Sequence, residues 1–397
     1  MVGTGAVGAP DRSGWPRRLS SPRSGSSRWS SSEPEAALNV RPDRVDAVVL
    51  VGGLGTRLRP LTLSAPKPML PTAGVPLLAH LLSRIRDAGV QHIVLGTSYQ
   101  SDVFASYFGD GRRFGIELEY VVESEPLGTG GGIRNVADRL RGDTTLVFNG
   151  DVLSGIDLIA LLHRHADTAA DVTLYLTTVD DARPFGCVPT DADGRVTAFL
   201  EKDPNPVSDQ INAGTYVFRR SVLEAIPTGR PVSVERETFP GLLAEGATVI
   251  GYVDPAYWRD LGTPADFVAG SADLVRGIAP SSAVPGPVGE ALVLPGAHVS
   301  DHAKLSGGAT VGAGCVVAAG CIVDGATLFD DVRLAPGAVV RRAIVGRSAT
   351  IGADAAVVDA VVGDRARIGA RVELAGGVRI WPDVVLADGS IRFSSDA

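Results

Sequence analysis

Cysteine is scarce in this chain: Cys187, Cys315 and Cys321 are the only three in 397 residues, and none forms a C-x-x-C pair. So odd and scattered a set excludes the disulfide framework of a small secreted protein and fits a reducing, cytoplasmic setting. Positive charge is also short. With a formal net charge of -8, the chain lacks the basic surface that non-specific nucleic-acid binding needs, so any anion site must be local. No apolar run reaches membrane-spanning length, and no transmembrane helix is expected. The six histidines show no zinc spacing; His163 and His165 are two apart on an expected helix and cannot share a face. Neither a G-x-S-x-G elbow nor a P-loop lysine motif occurs.

What remains is enough for a sizeable core, since 45% of the residues are hydrophobic, and the length suggests two domains. Residues 1–43, rich in Ser, Pro, Gly and Arg, carry no apolar period and are expected to be a disordered N-terminal extension. Pattern begins at "VDAVVLV" (45–51), a β-branched run closed by glycines, as a buried parallel strand reads. Next, "VPLLAHLLSRIRDAG" sets Leu77, Leu78, Leu81, Leu82 and Ile85 on one helical stripe. Strands and helices then alternate through "HIVLGTS", "SDVFASYF", "IELEYVVE", "GGIRNVADRL" (helix, 131–140), "TTLVFNGD", "IDLIALLHRHAD" and "DVTLYLTTV". Such alternation predicts an α/β domain with a mainly parallel sheet over residues 44–278, whose ligands bind beyond the carboxyl ends of the strands.

Residues 279–397 keep another period. Apolar residues recur every six positions at Val299, Leu305, Val311, Val317, Val323 and Phe329, then with occasional steps of five from Leu334 to Leu386. Small residues, Cys315 and Cys321 among them, sit two positions earlier. A six-residue repeat predicts a parallel β-helix of about five coils, the two cysteines packing inside it.

The densest chemistry lies in "GGLGTRLRPLT" (52–62) and "PKPML" (66–70). Glycines at 52, 53 and 55 let backbone N–H groups approach an anion that side chains would hold off, and prolines on both sides restrict Lys67. With "PLGTGGGI" (126–133), "FNGDVL" (148–153), "FLEKD" (199–203), "INAGTYVF" (211–218), "SVERETFP" (233–240) and "YWRDLGTP" (257–264), these motifs resemble those of the sugar-nucleotide pyrophosphorylases. Residues 45–395 as a whole resemble the guanylyltransferase branch that acts on mannose 1-phosphate.

That resemblance implies a Rossmann-like nucleotidyltransferase domain followed by a hexapeptide-repeat, left-handed β-helix, and a homo-oligomer formed through that helix. It implies GTP and mannose 1-phosphate as substrates, with neither nucleic acid nor membrane as partner. Arg57 and Lys67 would be catalytic. Leu50, Gly52, Gly53, Gly55, Thr56, Glu123, Gly128 and Asp151 would bind nucleotide, and Gly186, Glu201, Lys202, Asn212 and Gly214 the sugar phosphate. Asp151 and Asp260 would hold Mg²⁺, a cation that commonly takes one or two carboxylates plus substrate oxygens. Singly, Asp151 also reads as a turn residue, Asp260 as a helix cap before "TPADF", and Glu201 with Lys202 as an exposed hairpin pair. "FLEKD" departs from the family's common "EKP" by Asp203 before Pro204. A carboxylate at position 123 suits the two adjacent donors of guanine, with Glu125 as its rival. Other products, ADP-glucose or dTDP-glucose, and a non-catalytic nucleotide-sugar-binding homologue are the alternatives. An acetyl-transferring β-helix would want a base, and only His298 and His302 occur there.

Overall fold

The computed structural model describes residues 41–97 and 101–391. The disorder expected for 1–43 therefore falls outside the described residues except at its end, where Pro42–Arg44 form a 3-10 turn.

Strand β1 (Val45–Leu50) lies at the centre of a mixed sheet. On one side it pairs in parallel with β2 (His92–Thr97), which pairs in parallel with β3 (Glu117–Val122); on the other it pairs in parallel with β4 (Thr144–Asn149). Beyond β4 come β5 (Val172–Thr178), reached through the antiparallel β6 (Gln210–Arg219), and β7 (Val249–Val253), parallel to β5. Alternate β1 residues serve opposite faces: Val45, Ala47 and Val49 join Leu78, Leu82 and Ile85 of helix α1 (Leu77–Asp87), while Val48 joins Ile133 and Val136 of α2 (Gly128–Val136). Both faces being covered explains why the strand reads as an apolar run from Ala47 to Leu50. Helix α2 departs from the expected 131–140. It begins within the glycine run, because Gly130 and Gly131 donate to the Val232 carbonyl, and it gives way to a 3-10 turn at Ala137–Arg139.

The second domain is built of three parallel sheets, of six, six and five strands, wound as a β-helix from Ala291–Val293 to Val385–Leu386. It begins one strand before the first expected position, and residues 276–290 connect it to the sheet domain. Cys315 and Cys321 are fully buried inside it. One expected interior position needs correction. Register pairs Val311 with Leu328 and Leu328 with Val345, so Leu328 is the interior residue and the first five-residue step falls before it.

Phe329 instead faces out, into a core shared by both domains. There it joins Ile344 and Val361 of the β-helix, Phe267, Leu274 and Val275 of α3 (Pro264–Val275), and Leu58 and Leu61 beside the glycine-rich loop. Gly308 marks the closest approach, since a Cβ there would lie 2.6 Å from the Ala272 carbonyl. Arg379, on the last coil of this face, donates to the Arg59 carbonyl at 3.0 Å.

Truncating Phe329 should therefore destabilise the interface between the domains. Phe329→Ala is expected to cost about 3 kcal/mol or more, the usual price of a buried Phe cavity, and to lower the denaturation midpoint. An unchanged midpoint would place Phe329 outside the core.

Candidate functional site

The carboxyl ends of β1 and β4 open into a cavity of about 520 Å³ lined by Leu50, Gly52, Gly53, Gly55, Thr56, Arg57, Lys67, Glu123, Gly128, Asn149 and Asp151. Gly55 earns its place twice: its φ is +58°, and a Cβ would press to 3.0 Å against both Thr62 and Lys67. No such constraint acts at Gly53, around which a Cβ would find open space. Thr56–Leu58 then form a 3-10 turn that buries Leu58 and leaves Arg57 exposed beside Gly262.

Lys67 is buried, and its Nζ donates to Asp151 Oδ2 at 3.0 Å and lies 3.7 Å from Asp260 Oδ1. The two aspartates meet because Trp258–Asp260 pairs antiparallel with Val152–Ser154, the strand that follows Asp151, and Leu261 N–H donates to the Asp151 carbonyl. Burial, and then the Asp151 carboxylate, push the Asp260 pKa up against the pull of Lys67 and Arg57. Asp260 Oδ1 is buried with no hydrogen-bond partner among the described residues. A helix cap it is not: Thr263 caps α3 by accepting from Asp266 N–H.

Glu123 follows β3 and turns back over α2. Its Oε2 accepts from Leu127 N–H at 3.2 Å, and a Cβ on Gly132 would come within 2.6 Å of Oε1. Burial pushes its pKa up, partly offset by that N–H. Glu125 is exposed and does not line the cavity. At Gly128 φ is +71° and a Cβ would lie 2.6 Å from the Val232 carbonyl.

Gly186, Glu201, Lys202, Asn212 and Gly214 form a neighbouring group outside the cavity lining. Glu201 pairs with Gly186 across a short ladder, and its pKa is raised by burial and then by Glu235. Lys202 is exposed with φ +53°, and its N–H donates to the Phe185 carbonyl. Asn212 donates to the Tyr216 hydroxyl and accepts from Gly214 N–H, while Gly214 packs on Asn149. Two residues here belong to quoted motifs but were given no role of their own in the sequence reading. Asn149 lines the cavity and touches Gly214; Glu235, inside the motif "SVERETFP", accepts from Thr129 and Ser233 and so ties that segment to the start of α2.

A larger hollow, about 940 Å³, lies at the opposite, amino ends of the strands. Asp46, His92, Glu117 and Arg141 of its lining are already committed to partners. Asp46 accepts from Arg141 and Gly142 N–H, His92 lies 2.7 Å from Asp46 and 3.1 Å from Glu119, and Arg141 bridges Glu117 and Glu119. This is cross-strand scaffolding.

A family model described as nucleotidyl transferase matches residues 46–277, and one described as GMPPB C-terminal domain matches residues 287–388. The chain is 62% identical to mannose-1-phosphate guanylyltransferase of Mycobacterium tuberculosis, over 89% of this chain and 99% of that one. It is 35% identical to mannose-1-phosphate guanylyltransferase catalytic subunit beta of Drosophila pseudoobscura pseudoobscura, over 65% of this chain and 71% of that one. Among solved structures, HddC from Yersinia pseudotuberculosis complexed with GMP-PN superposes with a TM-score of 0.51 at 30% identity, covering 58% of this chain and 99% of that one.

The amino-end network makes stability pH-dependent. Burial lowers the His92 pKa, but hydrogen bonds to Asp46 and Glu119 outweigh it and leave the value raised; burial raises Asp46, and His92 with two backbone N–H groups leaves it lowered. The stabilisation from His92 is thus complete below its unfolded pKa and lost as pH rises through the folded one; that from Asp46 is lost as pH falls through its own. His92→Gln should lose less stability than the wild type between about pH 6 and pH 9, without changing turnover. Parallel thermal melts of both proteins at the two pH values would check this, identical pH slopes counting against it.

Proposed function

The chain belongs to the nucleotidyl transferase family, and on that premise we infer that it transfers GMP from GTP to mannose 1-phosphate, giving GDP-mannose and pyrophosphate. The observation that carries the reading is the 62% identity to a mannose-1-phosphate guanylyltransferase over 99% of that protein.

A phosphate oxygen of the sugar 1-phosphate forms a bond to the α-phosphorus as the bond from that phosphorus to the bridging oxygen of pyrophosphate breaks. The nucleophile is already anionic, so the protein must position groups and neutralise charge. In this reading Gly52, Gly53, Gly55 and Thr56 cradle the phosphates, Arg57 takes the departing pyrophosphate, and Lys67 serves the α-phosphate. The paired carboxylates and the orphaned Asp260 oxygen suit a hard divalent cation. Asp151 and Asp260 would hold Mg²⁺, which supplies neutralisation of phosphate charge when bound. Glu123 reads guanine by accepting from N1–H and N2–H, which its position on the cavity wall supports. Glu201, Lys202, Asn212, Gly186 and Gly214 receive the sugar phosphate, next to the cavity through Asn149.

The three free, buried thiols support a cytoplasmic setting. Among the described residues no helix is long and apolar enough to cross a membrane. The β-helix, with His298 and His302 both exposed on its first coils, serves as support and as the contact of a homo-oligomer in this reading.

Arg57→Ala should lower turnover by ~10² to 10³, the usual scale for one stabilising donor; near-normal turnover would remove Arg57 from the site. Glu123→Gln should cost about 2 to 4 kcal/mol in kcat/KM for GTP, through a lost charged bond and an unpaired guanine donor. Pyrophosphate release from a panel of nucleotides with mannose 1-phosphate tests both base and sugar. An unchanged GTP-to-ATP ratio in Glu123→Gln frees Glu123 of that role, and a wild type preferring ATP or dTTP overturns the guanylyl reading.

A further inference from the structure

The position of Lys67 carries a consequence for the order in which ligands enter. Its ammonium lies between the two carboxylates, 3.0 Å from Asp151 Oδ2 and 3.7 Å from Asp260 Oδ1. Mg²⁺ binds oxygen at about 2.0 to 2.1 Å, so a cation taking these same two oxygens would compete with Nζ for them, against a like charge. The lysine is confined beside both carboxylates by the fold around it. Its side chain is 7% exposed, its stem is in contact range of Gly55, and Lys67–Met69 is a closed 3-10 turn. Arg57, 4.0 Å from Asp260 Oδ2, adds a second positive charge on the other oxygen.

We propose that Lys67 holds the place of the divalent cation in the nucleotide-free protein, so that the cation enters with the triphosphate rather than before it. The proposal rests on the reading of Asp151 and Asp260 as the metal-binding pair. When a nucleotide arrives, its phosphate oxygens offer the ammonium a second set of partners. Nζ can then leave the aspartates for the phosphate, and the vacated carboxylates take the metal. One lysine thereby serves two anionic partners in turn, and the two carboxylates are never left together without a cation. The protein alone is a poor metal site for the same reason that the complex with nucleotide is a good one.

The test is direct binding of Mn²⁺ alone, followed by its electron paramagnetic resonance signal, to the full chain without nucleotide. Wild type, Lys67→Met, Lys67→Gln and Lys67→Met combined with Asp260→Asn are compared, with circular dichroism to confirm folding. Removing a positive charge from between two carboxylates should tighten Mn²⁺ binding by roughly tenfold or more in both single variants, and Asp260→Asn should abolish the gain. With a non-hydrolysable GTP analogue present, the advantage of Lys67→Met over wild type should shrink or reverse. Equal affinity in wild type and both single variants, lost on Asp260→Asn, would overturn the proposal while leaving the metal pair standing. Binding indifferent to Asp260 in every variant would overturn the proposal together with the metal reading beneath it.

Discussion

The contact of one buried ammonium with two carboxylates organises this molecule. Lys67 comes from the glycine-rich segment, Asp151 from the turn after β4, and Asp260 from a strand more than a hundred residues later. Burying a lone lysine or a lone pair of carboxylates is costly, and the three together offset most of that cost. The contact therefore holds the loop after β1 against the rim of the sheet and draws the Trp258–Asp260 strand across to close the cavity. Neighbouring bonds brace the same strand: Trp258 donates to the Ala213 carbonyl, and Arg259 reaches Asp266 and Asp273 of α3.

Helix α3 is where this brace meets the β-helix. One face of it supplies Asp266 and Asp273 to Arg259, and another puts Phe267, Leu274 and Val275 into the core shared with Phe329, Ile344 and Val361. Leu58 and Leu61, immediately after Arg57 in the chain, belong to that same core. The outer face of the β-helix is thus the floor under the loop that carries the site's two cations. A rigid, repetitive fold suits that use, because its face is flat and its side chains are set by strand register.

Much of this was legible because the deciding interactions are local in sequence. The β1 run, the stripe of α1 and the six-residue period each state their own geometry. Gly55 could be singled out because a left-handed turn and a close approach to Lys67 fall within a dozen residues. Misreadings occurred where distant partners decide. Phe329 and Leu328 are adjacent and both apolar, and only α3, folded against that face, distinguishes interior from interface. Helix α2 starts in a glycine run that by propensity should resist helix, because a carbonyl at Val232 and a carboxylate at Glu235 hold it from a hundred residues away. Asn149 lies inside the motif "FNGDVL" but was given no role of its own there, and its place against Gly214 appears only in the fold.

The chemistry divides along the same line between backbone and side chain. Phosphates are alike in every nucleotide, so on the proposed reading a bare backbone loop suffices for them, with space dictating Gly55 among its glycines. A base must be told from its rivals, and that calls for a side chain of definite donor and acceptor character, held where water cannot compete. On the proposed reading Glu123, half-buried on the cavity wall, is that side chain. Its carboxylate is turned in over the glycines of α2, with Oε2 occupied by Leu127 N–H and Oε1 lodged where Gly132 leaves room. A side chain at 132 would press on that carboxylate, so on the proposed reading the glycine run shapes base recognition as well as the start of its helix. Selectivity in that reading depends on the absence of a side chain nine residues from the one that reads.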